Sequence, residues 1–341
     1  MRTVLVGIDE AGYGPLLGPL CVGLSAFSVC HAETDATVPN LWTLLDSAVC
    51  REPGRAGARD AKHRIPVADS KSLKLSNSSK TVHPLVHLER AVLAFAGVLH
   101  DRSFETDAAL FDVLHAHFPR HVAYQSQPIQ IPLAVNAAES GICRNILQRA
   151  CASAGVRVEE MRCRVISEPE FNEIIRSTGN KGETTASAFG AHLRHVWERF
   201  SSTTHDGEPS RLGVVCDRLG GRACYAGILE RELRGVRVEI VEETETRSSY
   251  IVTADSKRAG ISFLTEGESA HLSVALASMI AKYVREMMMS RFNTYFTSLA
   301  RRDGGMELKP TAGYALDGRR WLDDASKLLR DADREALVRR A

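Results

Sequence analysis

The chain has 341 residues, 44% of them hydrophobic and 25% charged, with a formal net charge of +1. That length is long for one domain and short for two full-sized ones, and the apolar share suffices for a substantial core. A nearly neutral balance excludes a strong non-specific electrostatic grip on nucleic acid, so any such binding must come from local patches.

The apolar stretch Thr3–Val6 opens a strand over 3–8 that ends in "GIDEAGYGPLLGP", and a second strand over 20–29 follows the Gly/Pro turn. Periodicity is lost over 31–66, where "CREPGRAGARDAKHR" (50–64) reads as a loop carrying a net +3, and 31–66 is expected to be an insertion. After "VADSKSLKLS" (67–76), Leu85, Leu88, Val92, Phe95, Ala96 and Leu99 share one helical face. Helices are expected over 105–117 and 136–152, separated by the extended "SQPIQIP", making 100–155 a helical insertion. Met161, Cys163 and Val165 alternate with polar neighbours as in a half-buried strand, and a helix is expected over 185–200. "LGVVCD" (212–217) is a short buried strand with an acid at its end, and strand patterns recur near 236–241, 249–254 and 260–264. The strongest helix covers 270–299, where Leu272, Leu276, Met279, Ile280, Tyr283 and Met287 recur at three- and four-residue steps. Met287, Met288 and Met289 belong to its packing, and the charged tail from 318 is expected to be helical. Strands alternating with helices predict an α/β fold with a mixed central sheet flanked by helices, in a single domain over 1–341.

Eight cysteines contain no Cys-x-x-Cys pair, and several sit in apolar runs such as "PLCVGL". Reduced, mostly buried thiols follow, rather than a zinc site or a secreted disulfide scaffold. The twelve histidines form no His-Glu-x-x-His arrangement, which argues against a zinc enzyme. The first strand starts almost at once without a signal-peptide layout, and no apolar run approaches membrane-spanning length, so a cytoplasmic location is expected.

Asp9 and Glu10 follow one strand, Asp217 ends another, and further acids precede the long helix. Acids at several strand ends can converge on one point of a sheet, which suits hard divalent cations with oxygen ligands. Carboxylates that close repel one another and need a cation to ionise together. Two such ions, about 4 Å apart, activate a water and stabilise the leaving oxygen in phosphoryl transfer. The glycines beside the acids let backbone N–H groups approach a sugar or phosphate. A lone Asp-Glu-x-Gly is equally an ordinary exit from a strand into a turn.

Five segments, in order, carry a family resemblance. "GIDEAGYGPLLGPL" resembles the opening of type 2 ribonuclease H (ribonuclease HII), and "ADSKSL" (68–73) resembles that family's Asp-Ser-Lys segment. "VVCDRLGG" (214–221) is similar to its third acidic strand, "LSVALASMIAKYVRE" (272–286) to its long helix, and "TAGYALDGRRWL" (311–322) to its Gly-Tyr segment. The resemblance implies a ribonuclease H-like fold and an endoribonuclease acting on RNA–DNA hybrids or on ribonucleotides embedded in DNA. Hydrolysis would require Mg²⁺ or Mn²⁺ and leave a 3′-hydroxyl and a 5′-phosphate, and a monomer is expected. Residue by residue, it places Asp9, Glu10 and Asp217 on three of the family's metal-binding acids. It places Gly12, Tyr13 and Gly14 on the loop that reads ribose 2′-hydroxyls, Lys71 on a phosphate-contacting lysine, and Tyr314 on the tyrosine that stacks on the junction sugar.

The chain also departs from that pattern. Tyr13 stands where the family has arginine, removing a planar multi-donor group, and Leu316 and Arg319 stand where Thr and His are usual. Counting back from "ASMIAKYVRE" puts the fourth acid at Glu268, with Asp255 of "TADSK" as the competitor thirteen residues earlier. Lys71 read alone is a solvated loop lysine, and Tyr314 read alone is an aromatic at the edge of the core. A nucleic-acid-binding relative with weakened or lost catalysis is the alternative these departures favour. Retention of four acidic positions counts against it.

Overall fold

In the computed structural model, residues 1–31, 38–54, 64–119 and 122–340 are described. Parts of the expected 31–66 insertion and of the expected loop at 50–64 lie outside them.

The strands are β1 (Arg2–Ala11), β2 (Leu20–Cys30), β3 (Val49–Cys50), β4 (Ile65–Pro66), β5 (Val156–Ile166), β6 (Thr204–His205), β7 (Glu208–Asp217), β8 (Arg237–Glu243), β9 (Arg247–Ala254) and β10 (Lys257–Leu264). The helices are α1 (Leu41–Leu44), α2 (Ser70–Leu73), α3 (Val86–His100), α4 (Asp107–Val113), α5 (Ala137–Ala154), α6 (Glu168–Thr178), α7 (Gly182–Phe200), α8 (Ala226–Glu232), α9 (Gly267–Ala270), α10 (Leu272–Leu299), α11 (Ala315–Asp324) and α12 (Asp331–Leu337). The main sheet runs β5-β2-β1-β7-β10-β9-β8, with β6 beside β7 and β3 paired with β4 in a separate ribbon. Its centre, β1-β7-β10, is parallel, whereas β2 and β5 on one flank and β9 and β8 on the other pair antiparallel. The expected α/β fold with a mixed central sheet is therefore the one observed.

Period-two alternation splits the buried side chains of β1 between two cores. Val4, Val6 and Ile8 face α7 and α8, while the opposite face of the sheet lies under α10 and α3. α10 is buried nearly all round because it sits directly on β1 and β2 with α3 packed outside it. Gly7 permits that approach: a Cβ there would sit inside the backbone of Ser273 and Val274. Ser25 Oγ donates to the Ser273 carbonyl (2.7 Å) and fixes the helix over the sheet. Met287, Met288 and Met289 are core residues of this helix, as expected.

Several elements differ from the sequence reading, among them β1, α6 and α11. β1 runs to Ala11 rather than stopping at residue 8, because β2 pairs with it to the end in the register Ala11↔Cys21. Asp9 and Glu10 are thus strand residues, not the first residues of a turn. α6 was not anticipated, although Ser167 caps it through the Glu170 N–H, a proline sits in its first turn and Gly179 ends it in the left-handed region. α11 begins at Ala315, three residues before the expected helical tail.

The region 100–155 is bonded into this framework. Arg291 of α10 forks onto Asp107 of α4 (2.6 and 2.7 Å), and Arg90 of α3 pairs with Glu139 of α5. Among the described residues, no helix is long and apolar enough to cross a membrane. The eight cysteines are free, five of them buried.

Candidate metal centre and nucleic-acid interface

Register brings the acids together. In the parallel pair β1-β7, Ile8 lies opposite Cys216, so Asp9, near the end of β1, lies beside Asp217, the last residue of β7. In the parallel pair β7-β10, Leu264 lies opposite Asp217, and the chain turns from there into α9, which carries Glu268. Three carboxylates thus lie near the carboxyl ends of three neighbouring parallel strands, Glu268 on the helix just after β10, where open α/β sheets place their ligand sites.

One oxygen each of Asp9, Glu10 and Asp217 lies within 4.8 Å of the others. Asp9 is buried, with Oδ1 accepting the Glu10 N–H (2.7 Å) and a further hydrogen bond to Ser278 of α10. Burial first, then the charges of Glu10 and Asp217, holds the Asp9 carboxyl well above the ordinary range. Burial and the Asp217 charge push Glu10 to about 7. Burial and the Glu268 charge push Asp217 to about 6. Glu10 Oε2 is buried with no hydrogen-bond partner. Oxygen-only donors, mutual repulsion and an orphaned buried oxygen fit a hard divalent cation.

Glu268 is half-buried and lies outside that three-oxygen cluster, yet its charge is felt by Glu10, Asp217 and Lys71. Asp255 is exposed in the β9–β10 turn, at the opposite end of β10 from Leu264. Eight strand residues separate the two ends, roughly 25 Å at the usual rise.

Lys71 lies on α2, where the Asp69 side chain accepts its N–H (3.0 Å). The Ser278 and Ser70 hydroxyls are hydrogen-bonded (2.9 Å), so one serine of α10 joins the Asp-Ser-Lys segment to Asp9. Partial burial opposes the Lys71 charge, but Asp69, Asp9, Asp217 and Glu268 outweigh it and raise its pKa. The lysine therefore faces the acids.

The loop after β1 is braced from beneath. Gly12 has φ +94°, and a Cβ there would lie 2.5 Å from Arg285 Nε, so both conformation and space demand glycine. Around Gly14, by contrast, an added Cβ would meet nothing within 4 Å, so the fold itself does not require glycine there. The Tyr13 ring turns toward α7, with Lys181 Nζ 5.1 Å from its centre. It shares a cavity of about 400 Å³ with Glu10, Thr185, Gly220, Gly221 and Arg222. Thr185 Oγ1 there is buried and unpartnered. Tyr314, 49% exposed, stands at the start of α11, with Lys282 and Arg285 about 6 Å from its ring.

Sequence reasoning did not single out Ser278, Lys181, Arg222 or Arg339. Ser278 and Arg285 lie within the quoted long-helix segment, and their spacing from Lys282 was the available signal. Nothing local distinguishes Arg339 in a charged tail.

No protein-family model matches the chain, and no curated protein does. Similar solved structures include the PCNA:RNase HII complex from Archaeoglobus fulgidus, at 14% identity and a TM-score of 0.41, covering 98% of this chain and 93% of that one. Ribonuclease H2 from Pyrococcus horikoshii OT3 is similar at 16% identity and a TM-score of 0.43, covering 100% and 93%. Bst-RNase HIII in complex with Mn²⁺ is similar at 15% identity and a TM-score of 0.39, covering 99% and 66%. At these TM-scores the likenesses carry no weight of their own. What the chain itself defines is a mixed-sheet α/β protein with an acid cluster at the carboxyl ends of its parallel strands.

Proposed function

We propose that the chain is a divalent-metal-dependent endoribonuclease of the type 2 ribonuclease H kind, hydrolysing RNA–DNA hybrids or DNA at embedded ribonucleotides. The observation that carries this reading is the convergence of Asp9, Glu10 and Asp217 within 4.8 Å beside the Gly-Tyr-Gly loop. Asp9, Glu10 and Asp217 would hold the cation, with Glu268 completing the acidic set from α9. A bound Mg²⁺ or Mn²⁺ supplies activation of water and charge stabilisation at the phosphorus. Asp9 is kept in place by Ser278 and the Glu10 N–H, while Lys71, drawn toward the acids, contacts a backbone phosphate. The loop 12–14 presents main-chain N–H groups to the ribose, whose 2′-hydroxyl separates RNA from DNA. Tyr314 offers an exposed ring for stacking on the sugar.

The test is cleavage of three duplexes by the full chain: an RNA–DNA hybrid, DNA with a single ribonucleotide, and all-DNA. Each is run with Mg²⁺, with Mn²⁺ and with excess EDTA. Cutting of the first two only, abolished by EDTA, is expected. Hybrid binding without cleavage in either metal would favour a relative with lost catalysis, and equal cutting of all-DNA would overturn ribose recognition.

A further inference from the structure

The loop Gly12–Gly18 is held by two buried guanidiniums from the far, C-terminal part of the sequence. From α10, Arg285 Nη2 donates to the carbonyls of Leu17 (3.3 Å) and Ala312 (3.1 Å). From the tail after α12, Arg339 donates through Nη1 to the Gly12 carbonyl (2.7 Å), through Nη2 to Tyr13 (3.3 Å), and through Nε to Pro15 (2.9 Å). Nη2 also reaches the Pro15 carbonyl. Arg339 is 3% exposed, its guanidinium lies 4.5 Å over the Phe171 ring, and its own N–H donates to Leu16 (3.0 Å). Asn172 ties down the flanking residues, donating to the Val338 carbonyl (2.8 Å) and accepting the Arg340 N–H (2.7 Å).

All of the Arg339 side-chain bonds therefore go to main-chain carbonyls of the loop. Burying a guanidinium is costly, and a fork spent wholly on carbonyls fixes peptide planes rather than neutralising a charge. Burial and the nearby Arg285 charge pull Arg339 only to about 10, so it stays charged at neutral pH.

Peptide geometry turns this grip into an orientation. The peptides from Gly12 to Gly14 are trans, so each N–H points opposite the preceding carbonyl. Drawing the Gly12 carbonyl inward turns the Tyr13 N–H outward, and drawing the Tyr13 carbonyl inward does the same for Gly14. Among the described residues neither N–H has a hydrogen-bond partner.

We propose that Arg339 is a positioning residue for ribose recognition, fixing the Gly12–Gly14 peptides so that the Tyr13 and Gly14 N–H groups face the nucleic acid. The proposal rests on the ribonuclease reading above and adds the chain's last residues to the specificity apparatus. It also supplies what Tyr13 cannot: with no arginine fork in the loop itself, discrimination falls on correctly aimed main-chain donors.

The experiment measures the affinity of the full chain for an RNA–DNA hybrid relative to an all-DNA duplex of the same sequence. It is done in an Asp9→Asn background, with kcat and KM on the hybrid measured separately in the catalytically intact chain. Arg339→Gln is expected to reduce the hybrid preference about tenfold and to lower kcat more than it raises KM, as misaimed groups do. Arg339→Lys, which keeps the charge but loses the fork, should recover part of that preference. Leu337→Ala is the control: it cuts a buried side chain of the same tail, so melting temperature falls while the preference stays within about twofold. Unchanged preference in folded Arg339→Gln, or an equal loss in Leu337→Ala, overturns the proposal. Should Arg339→Gln not fold, Arg339→Lys decides it, and parent-like preference there overturns it. Absence of any hybrid preference in the parent removes the ribonuclease reading first, an outcome distinct from these.

Discussion

Two sets of carboxylates in this molecule, one fully buried and one partly so, have opposite surroundings. Glu89, fully buried on α3, accepts the N–H groups of Leu133 (2.8 Å), Ala134 (2.5 Å) and Val135 (3.1 Å) and the Tyr283 hydroxyl (2.8 Å). Asp107, also fully buried, accepts the fork of Arg291 and the Ile129 N–H (2.8 Å). Each of these acids has donors on both oxygens, which is the condition for burying a charge. Asp9, Glu10 and Asp217 face one another instead, and Glu10 Oε2 has no partner. The first set ties loops and α4 to the helices around the core. In the second, the neighbouring acids and burial oppose full ionisation. Burial alone does not distinguish the two sets; mutual repulsion and the unpartnered Glu10 Oε2 do.

The largest expected effect separates the two sets by activity. Asp9→Asn and Asp217→Asn should each lower hybrid cleavage by about a thousandfold or more, because a direct ligand is lost. The same changes should leave the metal-free protein as stable as the parent or firmer by about 1–2 kcal/mol, since repulsion is relieved. Near-normal turnover in either variant would remove that residue from the metal centre. Asp107→Ala should do the reverse. It strands Arg291 without its partner and should cost about 3–5 kcal/mol in urea unfolding. A loss below about 1 kcal/mol would erase the contrast between the two sets.

A smaller effect decides the fourth acid. Glu268→Gln is expected to lower cleavage about a hundredfold, whereas Asp255→Asn, at the far end of β10, should stay within about threefold of the parent. The opposite ordering would discredit the alignment of the long helix.

The mildest effect is on pH. Asp217, at about 6, and Glu10, at about 7, both lie above their ordinary values, so the folded protein binds more protons than the unfolded one. Their contribution to stability is full below about pH 4 and is lost as pH rises through those two values. Melting temperature in EDTA should therefore fall between about pH 4 and 7, and Mn²⁺ should restore it most at the upper end, where the acids are ionised. A rise across that interval in EDTA would contradict a metal-free repelling cluster.

Much of the framework was readable in one dimension. Strand alternation and the three- and four-residue spacing of Leu272, Leu276, Met279 and Ile280 are local patterns, and β2 and α10 appear close to where those patterns place them. α6 escaped despite an explicit Ser cap and Gly stop, because its apolar residues are few between Glu168 and Thr178. The Asp-Glu pair, Asp217, Lys71 and Glu268 could be named from short segments and their order. Whether Asp9 sat in a strand or a turn could not, because strand length is set by the partner β2 and not by β1 alone.

What the sequence determined by itself is the identity of the elements and of their chemical groups, since propensity and periodicity act within a few residues of chain. The tertiary structure alone decided which groups meet. The parallel register of β1, β7 and β10 joins residues about two hundred positions apart, separates Asp255 from the acids, and sets Ser278 between Asp9 and Ser70. It also brings Arg339, the third residue from the end, under a loop that begins at Gly12. Such contacts are fixed by the closing of long loops around a shared core, and no local pattern encodes that closure.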